Sequence, residues 1–106
     1  MQGNRSEKIQ EAVRAVAAEF LVKEATPQSL ITVTQVALSN DAKRADIYIT
    51  VLPETAEQAA LSFANRNRRE LADFFRKRIR GAFPPHFEFK IDKGEKNRQR
   101  LDELSQ

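Results

Sequence analysis

Apolar residues along the chain recur first at helical spacing, then alternate, then return to helical spacing, and these changes of period predict the elements. Ile9, Val13, Val16, Ala17 and Phe20 recur at intervals of three and four. A helix is therefore expected from Asn4 or Ser6 to about Lys23, with Asn4 and Glu7 as a capping box and residues 1–5 frayed. Thr26-Pro27-Gln28 should end it, because proline has no N–H and pushes the residue before it out of helical geometry.

Leu30 to Leu38 is a predicted strand rich in β-branched residues, with Ile31 and Val33 alternating against Thr32 and Thr34. The alternation changes phase at Gln35, after which Val36 and Leu38 are the apolar pair. A bulge produces that signature, and so do strand ends buried on both faces. After the turn residues Ser39-Asn40-Asp41, a second strand runs from Ala45 to Leu52, with Ala45, Ile47, Ile49 and Val51 on one face. The short link predicts an antiparallel hairpin.

Pro53 should end the second strand, and Thr55 to Gln58 reads as another capping box, opening a helix with the narrow stripe Ala56, Ala60, Phe63 and Ala64. Helical signal weakens at Asn65-Arg66-Asn67, predicting a kink before a second helix from Arg69 to Arg80, whose apolar side is Leu71, Phe74, Phe75 and Ile79. Arg78 falls inside that apolar arc, where its stem can lie on apolar surface while the guanidinium reaches water. Gly81 and Pro84-Pro85 supply the stop. Phe87, Phe89 and Ile91 then alternate with Glu88 and Lys90, the pattern of a half-buried strand ending at Asp92. Phe63, Phe74, Phe75, Phe83, Phe87 and Phe89 are all expected in the core, and Tyr48 is read as a strand residue.

The order α-β-β-α-α-β predicts an α+β, two-layer sandwich, with a three-stranded mixed sheet and the helices on one face. This is the order of type II K-homology (KH) domains, which bind single-stranded nucleic acid. At 106 residues the chain divides into a KH-like RNA-binding domain at 1–92 and a polar C-terminal tail at 93–106, read as a last helical turn or a mobile end.

Charge sharpens this picture. Residues 66–80 hold seven basic side chains against two acidic ones, whereas the whole chain carries only +3. The candidate phosphate-binding residues are Arg66, Arg68, Arg69, Arg76, Lys77 and Arg80, with Arg5, Lys8, Lys43 and Arg44 as weaker candidates. A solvated charged face is the plain alternative for such a run. The local excess and the preference for arginine, whose fork matches phosphate, favour RNA.

Other chemistry has little to stand on. The chain contains no cysteine, one histidine (His86, read as a turn or packing residue) and three scattered glycines, so thiolate sites, metal clusters and phosphate-binding glycine loops are not expected. No nucleophile or acid–base pair can be nominated, so the chain reads as a non-enzyme without cofactor or metal. No apolar run approaches membrane-spanning length, and the expectation is a cytoplasmic, monomeric protein.

Several stretches together resemble the ribosome-binding factor A family: Ile31-Thr-Val-Thr with Val36-Ala-Leu-Ser39, then Asp41, then Ala45 to Val51, then a basic helix leading through Pro85 into Phe87 to Asp92, then Arg100-Leu101. The resemblance implies a KH-like fold and a non-catalytic assembly factor. Such a factor binds the maturing small ribosomal subunit and its ribosomal RNA and assists rRNA maturation. One departure stands out. The family usually carries Ala-x-Gly at the kink between its last two helices, and the corresponding place here reads Asn67-Arg68-Arg69. The competing reading is a protein-interaction module that docks an acidic partner through the same basic helix.

Overall fold

The computed structural model describes residues 2–24 and 29–104, leaving aside the side chains of residues 2–5, 23–24, 100 and 102–104. The predicted break at Thr26-Pro27-Gln28 lies outside these residues. Helix α1 (Gln2–Glu24) precedes strands β1 (Leu30–Leu38) and β2 (Arg44–Leu52). A 3-10 turn (Glu54–Ala56), α2 (Glu57–Arg66), α3 (Arg68–Arg78), β3 (His86–Ile91) and α4 (Lys93–Leu104) follow.

The sheet order is β1-β2-β3, with β1 antiparallel and β3 parallel to the central β2. Register sorts the faces. Val33 lies opposite Ile49, Val36 opposite Ile47, and Ile47 in turn opposite Phe89, so apolar residues of all three strands share one side. The β1–β2 register shifts between Val33 and Gln35, leaving Thr34 as the extra residue of a bulge. Without that shift, Val36 and Leu38 would face the opposite side from Val33.

Helices cover the apolar side. Val13, Val16, Ala17, Phe20 and Leu21 of α1 are buried together with Ala45, Ile47, Ile49 and Val51 of β2. Ala60 and Ala64 let α2 approach closely, and Leu71 and Phe75 anchor α3. Two aromatic pairs tie the elements together: Phe20 of α1 with Phe74 of α3 at 5.9 Å between ring centroids, within the helical layer, and Phe75 of α3 with Phe87 of β3 at 6.0 Å, between the helices and the sheet. Fully burying one such side chain contributes about 1.5–3 kcal/mol.

Several local expectations are corrected. α1 begins at Gln2, so Asn4 lies inside the helix instead of capping it. The 3-10 turn draws Thr55 into helical geometry, and α2 starts without a side-chain cap. α3 stops at Arg78: Ile79 has extended angles (φ −118°, ψ 100°), which leaves Arg80 beyond the helix. Phe83 is not in the core but 94% exposed, and Phe63 and Phe74 are only partly buried.

The polar end of the chain is a full helix. The α4 N-terminus is capped by Asp92, whose Oδ1 accepts the Glu95 N–H at 3.0 Å. Asp92 is buried, and its other carboxylate oxygen accepts the Thr34 hydroxyl. One turn on, Lys96 Nζ meets Glu54 at 2.6 Å and Glu57 at 3.1 Å, and those hydrogen bonds, Glu54's first, raise its pKa.

Candidate nucleic-acid interface

The break between α2 and α3 falls at Asn67 (φ −102°, ψ 20°). These angles do not require glycine, and the asparagine makes local bonds of its own: Nδ2 donates to the Phe63 carbonyl at 2.8 Å, while the Asn67 carbonyl accepts the Leu71 N–H at 3.0 Å. The hinge thus forms without the family's Ala-x-Gly. Asn65, two residues earlier, fixes it to the sheet. Its Oδ1 accepts the Phe89 N–H at 2.9 Å and its Nδ2 donates to the Phe89 carbonyl at 3.3 Å.

Because the hinge is held at both ends, the arginines around it project from a fixed frame. Arg66 closes α2, and Arg68 and Arg69 open α3. With Arg76 and with His86 at the start of β3, they line one open groove that runs between α3 and the sheet edge. Glu70 and Asp73 also line it, so the groove is mixed in sign with a cationic excess.

Pairing decides which charges are available. Arg66, Arg68, Arg69, Lys77 and Arg80 have no ion-pair partner among the described residues. Arg76 meets Asp73 at 2.9 Å across one helical turn, an exposed pair worth only about 0.2–1 kcal/mol and readily exchanged for phosphate. Arg78 is committed: it pairs with Glu19 of α1 and lies 4.9 Å from the centre of the Phe74 ring, joining the two helices. Arg68 and Arg69 also sit at the positive end of the α3 dipole, where repulsion is relieved by an incoming anion.

The weaker candidates separate. Arg44 meets Asp46 at 3.2 Å and Glu88 at 3.4 Å on the uncovered face of the sheet, and Lys90 meets the same two carboxylates, so that face is close to neutral. Lys43 is exposed in the hairpin link, and its carbonyl accepts the His86 N–H at 2.8 Å. Lys8 lies on α1 beside a separate apolar recess. The Arg5 side chain lies outside the described residues.

Three residues of this region take parts that the sequence pattern does not assign them. His86 lines the arginine groove, Asn65 fixes the hinge, and Phe83 stands in solvent. An asparagine at the end of a helix was the one visible signal for the second. Among the described residues, no group of three His, Cys, Asp or Glu side chains is placed to hold a metal ion, and no helix is long and apolar enough to cross a membrane.

A mixed three-stranded sheet, helices on one face and a hinge between consecutive helices together define a KH-like α+β domain of type II order. The ribosome-binding factor A family model matches residues 5–105, and the chain belongs to that family. Ribosome-binding factor A of Geobacter sulfurreducens is 33% identical over 107 residues, covering 95% of this chain and 88% of the relative. The crystal structure of ribosome-binding factor A from Thermus thermophilus superposes with a TM-score of 0.71 at 27% identity, over 80% of this chain and 92% of that one. A homology model of the Thermus thermophilus factor, fitted into a cryo-electron-microscopy map of its 30S complex, matches with a TM-score of 0.66 at 29% identity, over 74% and 86% of the two chains.

Proposed function

We propose that this protein binds the maturing small ribosomal subunit as a cytoplasmic, monomeric, non-catalytic factor. Contact with ribosomal RNA runs through the basic hinge of α2 and α3, and binding assists rRNA maturation. Residues 1–92 act as the RNA-binding domain, with α4 as an appended C-terminal element. The observation that carries this reading is the cluster Arg66, Arg68 and Arg69: three cations without carboxylate partners among the described residues, held at a hinge that Asn65 and Asn67 fix. The relative fitted into a 30S complex adds to its weight. Arg76, Lys77 and Arg80 extend the surface, and Arg5, Lys8, Lys43 and Arg44 are peripheral.

Gradient sedimentation of cell lysate tests the proposal. The wild-type chain should travel with immature small subunits, and the triple reversal Arg66→Glu, Arg68→Glu, Arg69→Glu should leave it at the top of the gradient while still folded. A wild-type chain recovered only with another polypeptide would point to an acidic protein partner instead.

A further inference from the structure

Phe83 has the largest exposure of the big apolar side chains among the described residues, at 94%. It stands in the linker between α3 and β3, two residues past Gly81, whose φ of +81° turns the chain. A benzyl group left in water contributes almost nothing to folding, so its position calls for another account.

Its surroundings are apolar and cationic. Phe83 lines a recess with Ile9 and Ala12 of α1, Ile79, and Ala42 of the hairpin turn. Among the described residues Lys8 lines it too, and no acidic one does. Arg80 directly precedes Gly81 in the chain, and Lys43 directly follows Ala42. Asp41, the nearest acid in sequence to Ala42, already accepts hydrogen bonds from the Ser39 hydroxyl and the Lys43 N–H.

A flat aromatic ring beside an apolar recess that Lys8 also lines matches a ligand with an apolar planar face carried on an anionic chain. An unpaired nucleobase on its phosphodiester backbone has that chemistry. Continuity supports the match. The same linker ends at Pro85, which lines the arginine groove together with His86 of β3, so a strand whose phosphates follow the arginines comes to within two residues in sequence of Phe83. A hydrophobic peptide would fill the recess but would leave Lys8 unmatched.

We infer that Phe83 and the recess it lines receive one unpaired RNA base, with Arg80, Lys8 and Lys43 on the flanking phosphates. This rests on the RNA-binding reading above and adds a requirement that the bound strand be single at this point. The site selects unpaired over duplex RNA, since a base held in a helix cannot present its face to the ring.

Fluorescence anisotropy with two RNA probes tests it: an unstructured ten-nucleotide strand and a blunt-ended duplex of two fully complementary strands. Phe83→Ala should weaken binding of the single strand about 5- to 150-fold, the range for one aromatic stack, and leave duplex binding unchanged. Phe83→Trp should restore single-strand affinity. Equal affinity of wild type and Phe83→Ala for the single strand would overturn the inference while leaving the arginine surface intact, and so would a loss confined to ribosomal-particle association, which would assign Phe83 to a protein contact. Failure of the wild type to bind either probe would remove the RNA-binding reading itself.

Discussion

Asn65 satisfies both backbone groups of Phe89 with one side-chain amide, its oxygen 2.9 Å from the N–H and its nitrogen 3.3 Å from the carbonyl. Phe89 belongs to the edge strand β3, which pairs with β2 on one side and has no strand on the other, so its outward-facing N–H and carbonyl are left to Asn65. The hinge arginines therefore inherit their position from an edge strand that is otherwise open at this point.

Asn65→Ala should lower the stability of the fold by about 1–3 kcal/mol, because both edge groups lose their protein partner. Urea denaturation monitored by circular dichroism reads this directly. Asn65→Asp should be no milder, since a carboxylate retains the acceptor but faces the Phe89 carbonyl with a second oxygen.

Removal of a phosphate contact has an ionic signature. If Arg68 meets one phosphate, Arg68→Ala should reduce the slope of log affinity against log salt by about 0.7–0.9, the value for one contact. Titrations against small-subunit ribosomal RNA at several salt concentrations measure the slope. An unchanged slope would place Arg68 off the RNA path.

The terminal helix depends on its cap. Asp92→Ala should cost about 1 kcal/mol and speed hydrogen exchange at the Glu95 amide, which donates to Asp92 Oδ1. The arginine groove lies on other elements, so RNA affinity should change little.

On the uncovered sheet face, burial pushes the Asp46 carboxyl up, but hydrogen bonds from Lys90 and Arg44 outweigh it and hold the group below its ordinary value. A carboxyl lowered in the folded state stabilises above its unfolded pKa, about 3.9, and loses that contribution as pH falls through the folded value. Asp46→Asn should therefore destabilise by up to about 1 kcal/mol at pH 7 and show a shallower loss of stability below about pH 4. Thermal melts across that range distinguish the two chains.

Much of this architecture could be read from local pattern. The phase change at Gln35 fits a bulge or strand ends buried on both faces, and the register shift between Val33 and Gln35 shows it to be the bulge. The weakened helix at Asn65-Arg66-Asn67 predicted the break, and Ala45 to Val51 predicted the central strand. What escaped depends on distant partners. Arg78 is neutralised by Glu19 and Arg44 by Glu88, residues from other elements, and α4 is held by Asp92 and by Lys96 reaching Glu54 and Glu57. Phe83 departs from the expected core because it stands in a linker between two elements, where no periodic stripe fixes which way a side chain faces.

The surplus residue in the first strand joins parts of the chain that never meet in sequence. Thr34 turns its hydroxyl toward the Asp92 carboxylate and lies 3.2 Å from the Tyr48 carbonyl, so an irregularity near the beginning dictates where the last helix departs. Deleting that one residue would leave a plain ladder, with Ile31, Val33, Val36 and Leu38 still on one face, but it would take away the hydroxyl that Asp92 accepts. The insertion therefore acts less as a flaw in the sheet than as a joint between the first strand and the residue that caps the last helix.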